Sequence, residues 1–333
     1  MRLRWKDFTG VWAKYFRILI HGRFLYSPLI MALRGCSAKE PTRTGNSITA
    51  ISSVIIINIE RRKCVMLCSM DNIFLLKLFL SFIIGSIWVT TGTIIAERYG
   101  SKVGGFIAGL PSTILLGLFF IAWTQSTVVA AEATTVVPIV GGINCIFIVT
   151  YILLIRFSFW LAISGALSVW FVLSLLLVIF KFNSFSLSVG GYTILLICSY
   201  YFVEKILRVK SESRREVKLT FKLMLIRGVI SGLIVVLAVF LTKVGGPLLG
   251  GIFTMFPAMF LGTLLITYFS HGARFSSAVM KASIFGVISV VIYGIVARYA
   301  LIPLGIWFGT ALSILISFFC AFVIHNLLTR KMS

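Results

Sequence analysis

The sequence predicts an all-α fold, a polytopic transmembrane helical bundle of about nine helices arranged as an inverted internal repeat. Three observations predict it: the hydropathy, the spacing of long apolar runs, and a pair of similar segments in the two halves of the chain. Of 333 residues, 59% are hydrophobic and 12% charged, against roughly 45–50% apolar in soluble domains. The mean hydropathy is +1.06. A soluble fold needs a larger polar exterior, so the lipid bilayer is the expected partner of the outer surface.

The basic charge is distributed as in a membrane protein. The chain carries 31 Lys and Arg against 9 Asp and Glu, a net charge of +22, mostly in short segments between apolar runs or in the first 63 residues. Such residues mark cytoplasmic segments that face anionic lipid. Binding to nucleic acid is not expected, because no zinc-finger spacing, aromatic platform or phosphate loop is present. The cysteines and histidines show no metal-ligand spacing, and no cofactor is expected.

Residues 1–63 form a predicted basic, non-spanning extension. They contain twelve basic and three acidic side chains and no apolar run of the roughly 20 residues that crossing a bilayer requires. An alternative hypothesis is that Met66 or Met70 is the natural start, since Met70 leads directly into the first spanning segment. Either way, the predicted membrane region begins near residue 70.

From Ile73 onward the chain shows nine candidate helices joined mostly by short loops. These helices are 73–97, 105–124, 127–155, 158–180, 185–204, 220–243, 247–269, 274–298 and 303–327. They divide into transmembrane repeat 1 (70–204), a basic loop (205–219) and transmembrane repeat 2 (220–328). The density of Lys and Arg in the loop predicts that it is cytoplasmic. Counting spans from it predicts a multi-pass protein of the cell membrane with a cytoplasmic C-terminus.

An internal repeat is the most informative feature of the sequence. Gly104, Gly105 and Pro111 recur as Gly250, Gly251 and Pro257, each pair 146 positions apart. Chance similarity between apolar segments is the alternative, but the following helices recur as well. Five predicted spans separate the starts of the two copies, and an odd number inverts the second copy. Inverted repeats are typical of secondary transporters.

The glycine pairs and prolines of the repeat predict two interrupted helices. Proline removes an amide donor and clashes with the preceding turn, and glycine lowers the cost of bending. The freed backbone groups could coordinate a ligand. The alternative for Gly104, Gly105, Gly250 and Gly251 is that they allow close contact between helices.

Polar residues inside predicted spans supply the remaining pathway candidates. An ionisable group there costs roughly 2.5–3.5 kcal/mol on insertion scales. Glu132 lies in repeat 1 and Lys281 in the matching helix of repeat 2. They are too far apart in depth for direct contact, so each is predicted at the mouth of its own half of a pathway or snorkelling to the interface. Four smaller side chains could line a cavity or bond helices together: Ser112, Thr113, Gln125 and Asn144.

Four tryptophans and one arginine are predicted to anchor the bundle at the membrane interfaces. Arg227 is near the start of its helix, where its stem could snorkel. The tryptophans are Trp123, Trp160, Trp170 and Trp307, and tryptophan is enriched at lipid–water interfaces.

The stretch from Phe106 to Thr113, with its counterpart through Phe256 and Pro257, resembles the GlpM-like small integral membrane proteins and related uncharacterised prokaryotic families. The resemblance covers about 25 residues in each copy. It implies a membrane location and, in one branch, an association with exopolysaccharide production. It implies no catalytic residues.

The sequence therefore predicts a secondary transporter or permease for a small solute or ion. The alternative is a non-transporting membrane subunit that assembles or regulates an envelope or exopolysaccharide system. An enzyme is not expected, because one intramembrane carboxylate and scattered histidines provide no acid–base pair. A homo-oligomer is compatible with either function.

Overall fold

A computed structural model describes residues 72–98, 112–209 and 221–332. These ranges lie within one compact unit, Val65–Ser333. The predicted extension 1–63, the hypothesis of a start at Met66 or Met70, and most of the 205–219 loop lie outside the described residues. Every regular element in the described ranges is helical.

The helices follow the apolar runs of the sequence. They are α1 (Asn72–Arg98), α2 (Ser112–Thr124), α3 (Thr127–Ala133), α4 (Val137–Leu154), α5 (Phe159–Ile179), α6 (Phe185–Tyr201), α7 (Phe221–Gly245), α8 (Pro247–Thr254) and α9 (Ala258–Met332). A 3₁₀ turn, Thr134–Val136, joins α3 to α4, and a π-helical turn, Phe202–Ile206, extends α6.

The long helix α9 is broken at two glycines. Gly272 has φ 81° and Gly305 has φ 73°, which is backbone that residues with a Cβ rarely adopt. These breaks divide α9 into three segments, called here α9a (258–271), α9b (273–304) and α9c (306–332).

Six stretches of the described chain are long and apolar enough to cross a membrane, and Ser112–Thr124 is a shorter apolar helix. The predicted number of nine spans is not confirmed on this basis. The difference arises chiefly because one of the six, Pro247–Val323, is 77 residues long and contains the breaks at Gly272 and Gly305. The coarser prediction, an all-helical apolar bundle, agrees with the structure.

The repeat of 146 positions is visible in the helix boundaries. Ser126, the extended residue before α3, corresponds to the break at Gly272. Ser158, the extended residue before α5, corresponds to position 304, next to the break at Gly305. Helix α1 therefore corresponds to α7 and α2 to α9a. Helices α3 and α4 together correspond to α9b, and α5 corresponds to α9c. Helix α6 lies between the two sets.

The first helices of the two sets, α1 and α7, pack against each other in opposite directions. A Cβ built on Gly85 would lie 3.5 Å from the Cα atom of Gly232. Further along α1, Thr90 abuts Gly228, whereas at its start Phe74 lies under the ammonium of Lys243, 5.7 Å from the ring centroid. The partner number on α7 falls as the number on α1 rises, so the helices are antiparallel. The glycines allow the close approach that stabilises helix pairs in lipid.

Helix α4 and its counterpart in the second set, α9b, also run antiparallel. Gly141 packs against Val287 and Val291, and Gly294 packs against Val137. Gly141 and Val287 are 146 positions apart, so corresponding residues of the two copies contact each other. Such self-matching contacts occur where a two-fold axis passes through an interface. The two sets are thus related by an approximate two-fold axis across which the helix directions reverse.

The bundle has a buried centre and an apolar exterior. In the most apolar part of Thr127–Leu154, 72% of the residues are buried. In the most apolar part of Phe159–Ile179, only 22% are buried. Large apolar side chains such as Trp160, Trp307, Phe308 and Phe319 are exposed. An apolar surface of this extent is stable only against lipid or another apolar partner.

Candidate functional site

The predicted interruption of repeat 2 is present in the structure. Helix α8 ends at Thr254, and α9 begins at Ala258. Pro257 has no amide hydrogen and disfavours a helical conformation at the residue before it. Met255 lies in the gap between the two helices, so its carbonyl is available to another partner. Pro257 itself is buried.

Asn144 binds this interruption from the centre of α4. Its Nδ2 donates to the carbonyl oxygen of Met255 at 2.9 Å, and its Oδ1 accepts from Nε1 of Trp170 at 2.8 Å. Both donor and acceptor atoms of the Asn144 side chain are thereby used inside the bundle. In a water-free interior such a pairing avoids the cost of an unsatisfied polar group.

Trp170 is fully buried, so its predicted role as an interface anchor is wrong. Its ring centroid lies 5.2 Å from that of Phe256 and 6.4 Å from that of Phe253, both in edge-to-face contact. Trp170 lies midway along α5, far from either end of the helix. This position in the sequence could have indicated that it is not at the membrane interface. Trp160 and Trp307, near their helix ends, are exposed.

A second irregular segment, between α3 and α4, packs against the segment that contains the interruption of repeat 2. The helix α3 tightens into the 3₁₀ turn Thr134–Val136, and Pro138 follows at the start of α4. Gly251 packs directly on the carbonyl of Ala133, and Gly250 packs on Thr242 of α7. A Cβ at either glycine would collide with these atoms. The structure therefore places Gly250 and Gly251 in close helix contacts, the alternative stated for them above.

Arg298 of α9b reaches this irregular segment. Its Nη1 donates to the carbonyl oxygen of Ala131 at 3.2 Å and to Oγ1 of Thr135 at 2.8 Å. Its guanidinium also lies 4.6 Å from the ring centroid of Phe185. Arg298 is not among the site candidates that the sequence predicts. Its partners are backbone and hydroxyl groups that hydropathy does not reveal.

Glu132 and Lys281 lie apart, at different ends of the bundle. Lys281 forms a 2.6 Å ion pair with Glu204 of the π-helical turn and donates to the carbonyl oxygen of Val209 at 2.7 Å. Glu132 is exposed on α3. The pathway roles predicted for both residues remain predictions.

Arg227 occupies an unexpected position on α7. Its Nη2 lies 3.5 Å from the sulfur of Met259, and its stem passes 3.6 Å from a Cβ built on Gly262 of α9a. Its Nε is buried without a hydrogen-bond partner among the described residues. The side chain thus packs between two helices, which differs from the predicted snorkelling anchor.

The remaining candidates lie at the start of repeat 1. Gly104, Gly105 and Pro111 lie outside the described residues. Ser112 and Thr113 open α2 and are half-buried. The hydroxyl oxygen of Ser112 is buried, and no described group bonds to it. Segment 250–257 packs on the α3–α4 junction.

The described part of the chain contains no group of three His, Cys, Asp or Glu residues placed to hold a metal ion. Its polar interior consists of amide, hydroxyl and cationic groups. Such a set can bind a polar or anionic solute through donors.

A comparison with known families supplies one match. The DUF3147 family, described as proteins of unknown function, matches residues 78–184 and again residues 224–330. The two matches are 146 positions apart, in agreement with the repeat. The resemblance to GlpM-like proteins is not confirmed. No curated protein and no solved structure shows significant similarity to the chain. Because the two matches cover more than half of its length, this chain belongs to the DUF3147 family.

Proposed function

We propose that the chain is a permease of the cell membrane in which two family units are inserted in opposite orientations. Each unit supplies four spans, and α6 supplies a ninth that connects them. Support comes from the breaks at Gly272 and Gly305, which divide α9 into three spans, and from the antiparallel packing of α1 with α7. A single connecting span between two four-span units necessarily inverts the second unit.

The contacts at the helix ends agree with this threading. Lys77 donates to the carbonyl oxygen of Trp123 at 3.0 Å, and the contact of Phe74 with Lys243 lies at the same end. Lys281 and Glu204 meet at the opposite end. In the proposed arrangement, consecutive spans alternate between these two ends.

The distribution of positive charge orients the protein. The end that contains Lys281 also receives Arg156, Arg274, Arg330 and the basic 205–219 loop. Segments rich in Lys and Arg are retained on the cytoplasmic side. We therefore place this end, and with it the C-terminus, in the cytoplasm.

One observation carries the permease proposal: the interrupted segment of repeat 2 is seated on the irregular α3–α4 junction of repeat 1. Non-helical backbone at membrane depth is tolerated where protein buries it or where it lines a cavity. In inverted-repeat transporters such segments form the solute site, and rocking of one half against the other exposes it alternately. Asn144, at the centre of α4, joins the two halves through the Met255 carbonyl of the same interrupted segment.

The full-length protein should be reconstituted in liposomes and tested for uptake of monovalent anions, monovalent cations, amino acids and sugars. We expect uptake of at least one class. Asn144→Leu should reduce that uptake at least tenfold, because the contact between the halves is lost. Thr150→Val is the matched control, since the Thr150 hydroxyl bonds only within α4, to Ile146, and it should leave uptake unchanged.

Absence of uptake across all four classes, with protein that is folded and inserted, would contradict the permease proposal. It would favour a non-transporting membrane subunit. Equal uptake by the Asn144 variant and the wild type would contradict the assignment of the pathway to this junction.

A further inference from the structure

Two turns at the end of the bundle that contains Lys281 pack on each other through aromatic rings. Phe159, at the start of α5, stacks on Tyr268 of α9a with the ring centroids 4.1 Å apart. Its ring also meets that of Phe269 edge to face at 5.3 Å, and its side chain is buried. The turn between α4 and α5 and the break between α9a and α9b thereby form one continuous surface.

Large aromatic side chains are exposed on this surface. Phe157 and Trp160 are each 67% exposed, and Phe269 is 66% exposed. All three lie at helix ends, because Phe157 and Trp160 flank the start of α5 and Phe269 lies three residues before the break at Gly272. The helix ends of a bundle that crosses lipid lie at the headgroup layer, where aromatic rings are enriched. The exposed rings therefore contact lipid close to its headgroups.

Two arginines without a counter-charge flank the exposed rings along the chain. Arg156 lies in the turn before α5 and Arg274 in the first turn of α9b, and both are exposed. The guanidinium of Arg156 lies 5.0 Å from the ring centroid of Phe157, and no described carboxylate forms an ion pair with either arginine. Neither 152–160 nor 268–275 includes an Asp or Glu. The surface is therefore positive and complements a negatively charged partner.

The partner has to match both properties of the surface. Guanidinium groups bind phosphate through paired hydrogen bonds, and exposed aromatic rings pack on apolar chains. An anionic phospholipid carries both groups in one molecule, in the layer where this surface lies. A soluble anion carries only the first.

We propose that Arg156, Phe157, Trp160, Phe269 and Arg274, here called the basic–aromatic surface, form a binding site for anionic phospholipid. The headgroup phosphate accepts hydrogen bonds from the arginines, and the acyl chains contact the exposed rings close to the glycerol. The proposal requires the bundle to lie in a membrane and does not depend on the permease function.

Quenching of tryptophan fluorescence measures this binding, because Trp160 belongs to the basic–aromatic surface. The full-length protein should be placed in phosphatidylcholine vesicles with a small fraction of lipid brominated close to the glycerol, either phosphatidylglycerol or phosphatidylcholine. The signal of Trp160 is the part of the fluorescence lost in Trp160→Phe. We expect brominated phosphatidylglycerol to quench that signal at a mole fraction at least about fivefold lower than brominated phosphatidylcholine requires, the preference that one arginine near a membrane surface provides.

Three variants connect this preference to the arginines. Arg156→Gln with Arg274→Gln should abolish the preference of Trp160 for phosphatidylglycerol. Arg156→Lys with Arg274→Lys keeps both charges and should retain part of the preference, which separates loss of binding from misfolding. Lys181→Met is the matched control, since it removes an exposed cation at the opposite end of α5 and should leave the preference unchanged.

Several results would overturn the lipid site. Equal quenching of Trp160 by the two brominated lipids in the wild type would do so, as would an undiminished preference in the double glutamine variant. Loss of the preference in millimolar inorganic phosphate at constant ionic strength would assign the arginines to a free anion. Protection of Trp160 from both lipids as the protein density in the membrane rises would indicate that a second copy covers the surface. None of these measurements uses solute uptake, so failure of the lipid site is distinguishable from failure of the permease proposal.

Discussion

The two ends of the α4–α9b interface share one backbone arrangement and differ in chemistry. At one end, Arg298 binds the Ala131 carbonyl and Thr135. At the other end, Tyr151 and Ser276 share a 2.8 Å hydrogen bond between neutral hydroxyls. Because the helices are antiparallel copies, these ends are related by the approximate two-fold axis. A symmetric scaffold therefore carries two different polar contacts.

Residues 146 positions apart show how the difference arose. Arg298 corresponds to Ile152, and Thr135, its acceptor, corresponds to Lys281. The side chain of Lys281 forms its ion pair with Glu204. The close contacts between the helices are alike in the two copies, whereas the polar partners at the two ends differ.

The largest expected effect comes from disturbing the close backbone contact near Arg298. Gly251→Ala places a methyl group against the Ala133 carbonyl, which cannot move cheaply because it belongs to the helix backbone. We expect a loss of stability of about 3 kcal/mol, seen as a lower thermal unfolding midpoint in detergent. Gly286→Ala is the control, since a Cβ there meets nothing within 4 Å and should be neutral or slightly stabilising. Equal midpoints for the two variants would show that the halves do not pack this closely.

Removing the charge at the Arg298 end should have the next largest effect. Arg298→Met retains most of the stem and deletes two hydrogen bonds to Ala131 and Thr135. We expect destabilisation of about 2 kcal/mol, the range for hydrogen bonds to a charged group. Thermal unfolding of Arg298→Met and of the double variant with Thr135→Val measures the coupling. Strict additivity of the two changes would argue against their contact.

The stability should depend less on the neutral hydrogen bond between Tyr151 and Ser276. Tyr151→Phe removes only the hydroxyl that bonds Ser276, and we expect a loss of about 1 kcal/mol. The double variant with Ser276→Ala should cost little more, because both partners of the bond are then absent. An effect of Tyr151→Phe as large as that of Arg298→Met would remove the proposed difference between the ends.

The smallest effect is expected at the ion pair of Lys281. Its partner Glu204 is 39% exposed, so solvent screens the pair, and its contribution is about 0.5 kcal/mol. Lys281→Met should lower the unfolding midpoint slightly at low salt and less at high salt. A salt-independent loss of several degrees would indicate a role beyond this pair.

Much of the fold could be predicted from the sequence because lipid imposes a simple rule on long apolar runs. The predicted helix 127–155 corresponds to α3 and α4, which end at Leu154, and 158–180 corresponds to α5, Phe159–Ile179. The period of 146 residues followed from two glycines and one proline in each copy, and the family matches have the same period. These features depend on local composition and on covalent order.

The partners of the polar groups were decided only by the tertiary structure. Asn144 was a predicted candidate, but its partner is a carbonyl freed by a break more than 100 residues away. Trp170 and Arg227 were assigned to the interface because residue type suggests that position, whereas Trp170 is fully buried and Arg227 packs between two helices. A hydropathy pattern determines which segments enter the lipid. It carries no information on which helix faces meet, because every face of these helices is apolar and only the interlocking of glycines, carbonyls and side chains selects the contacts.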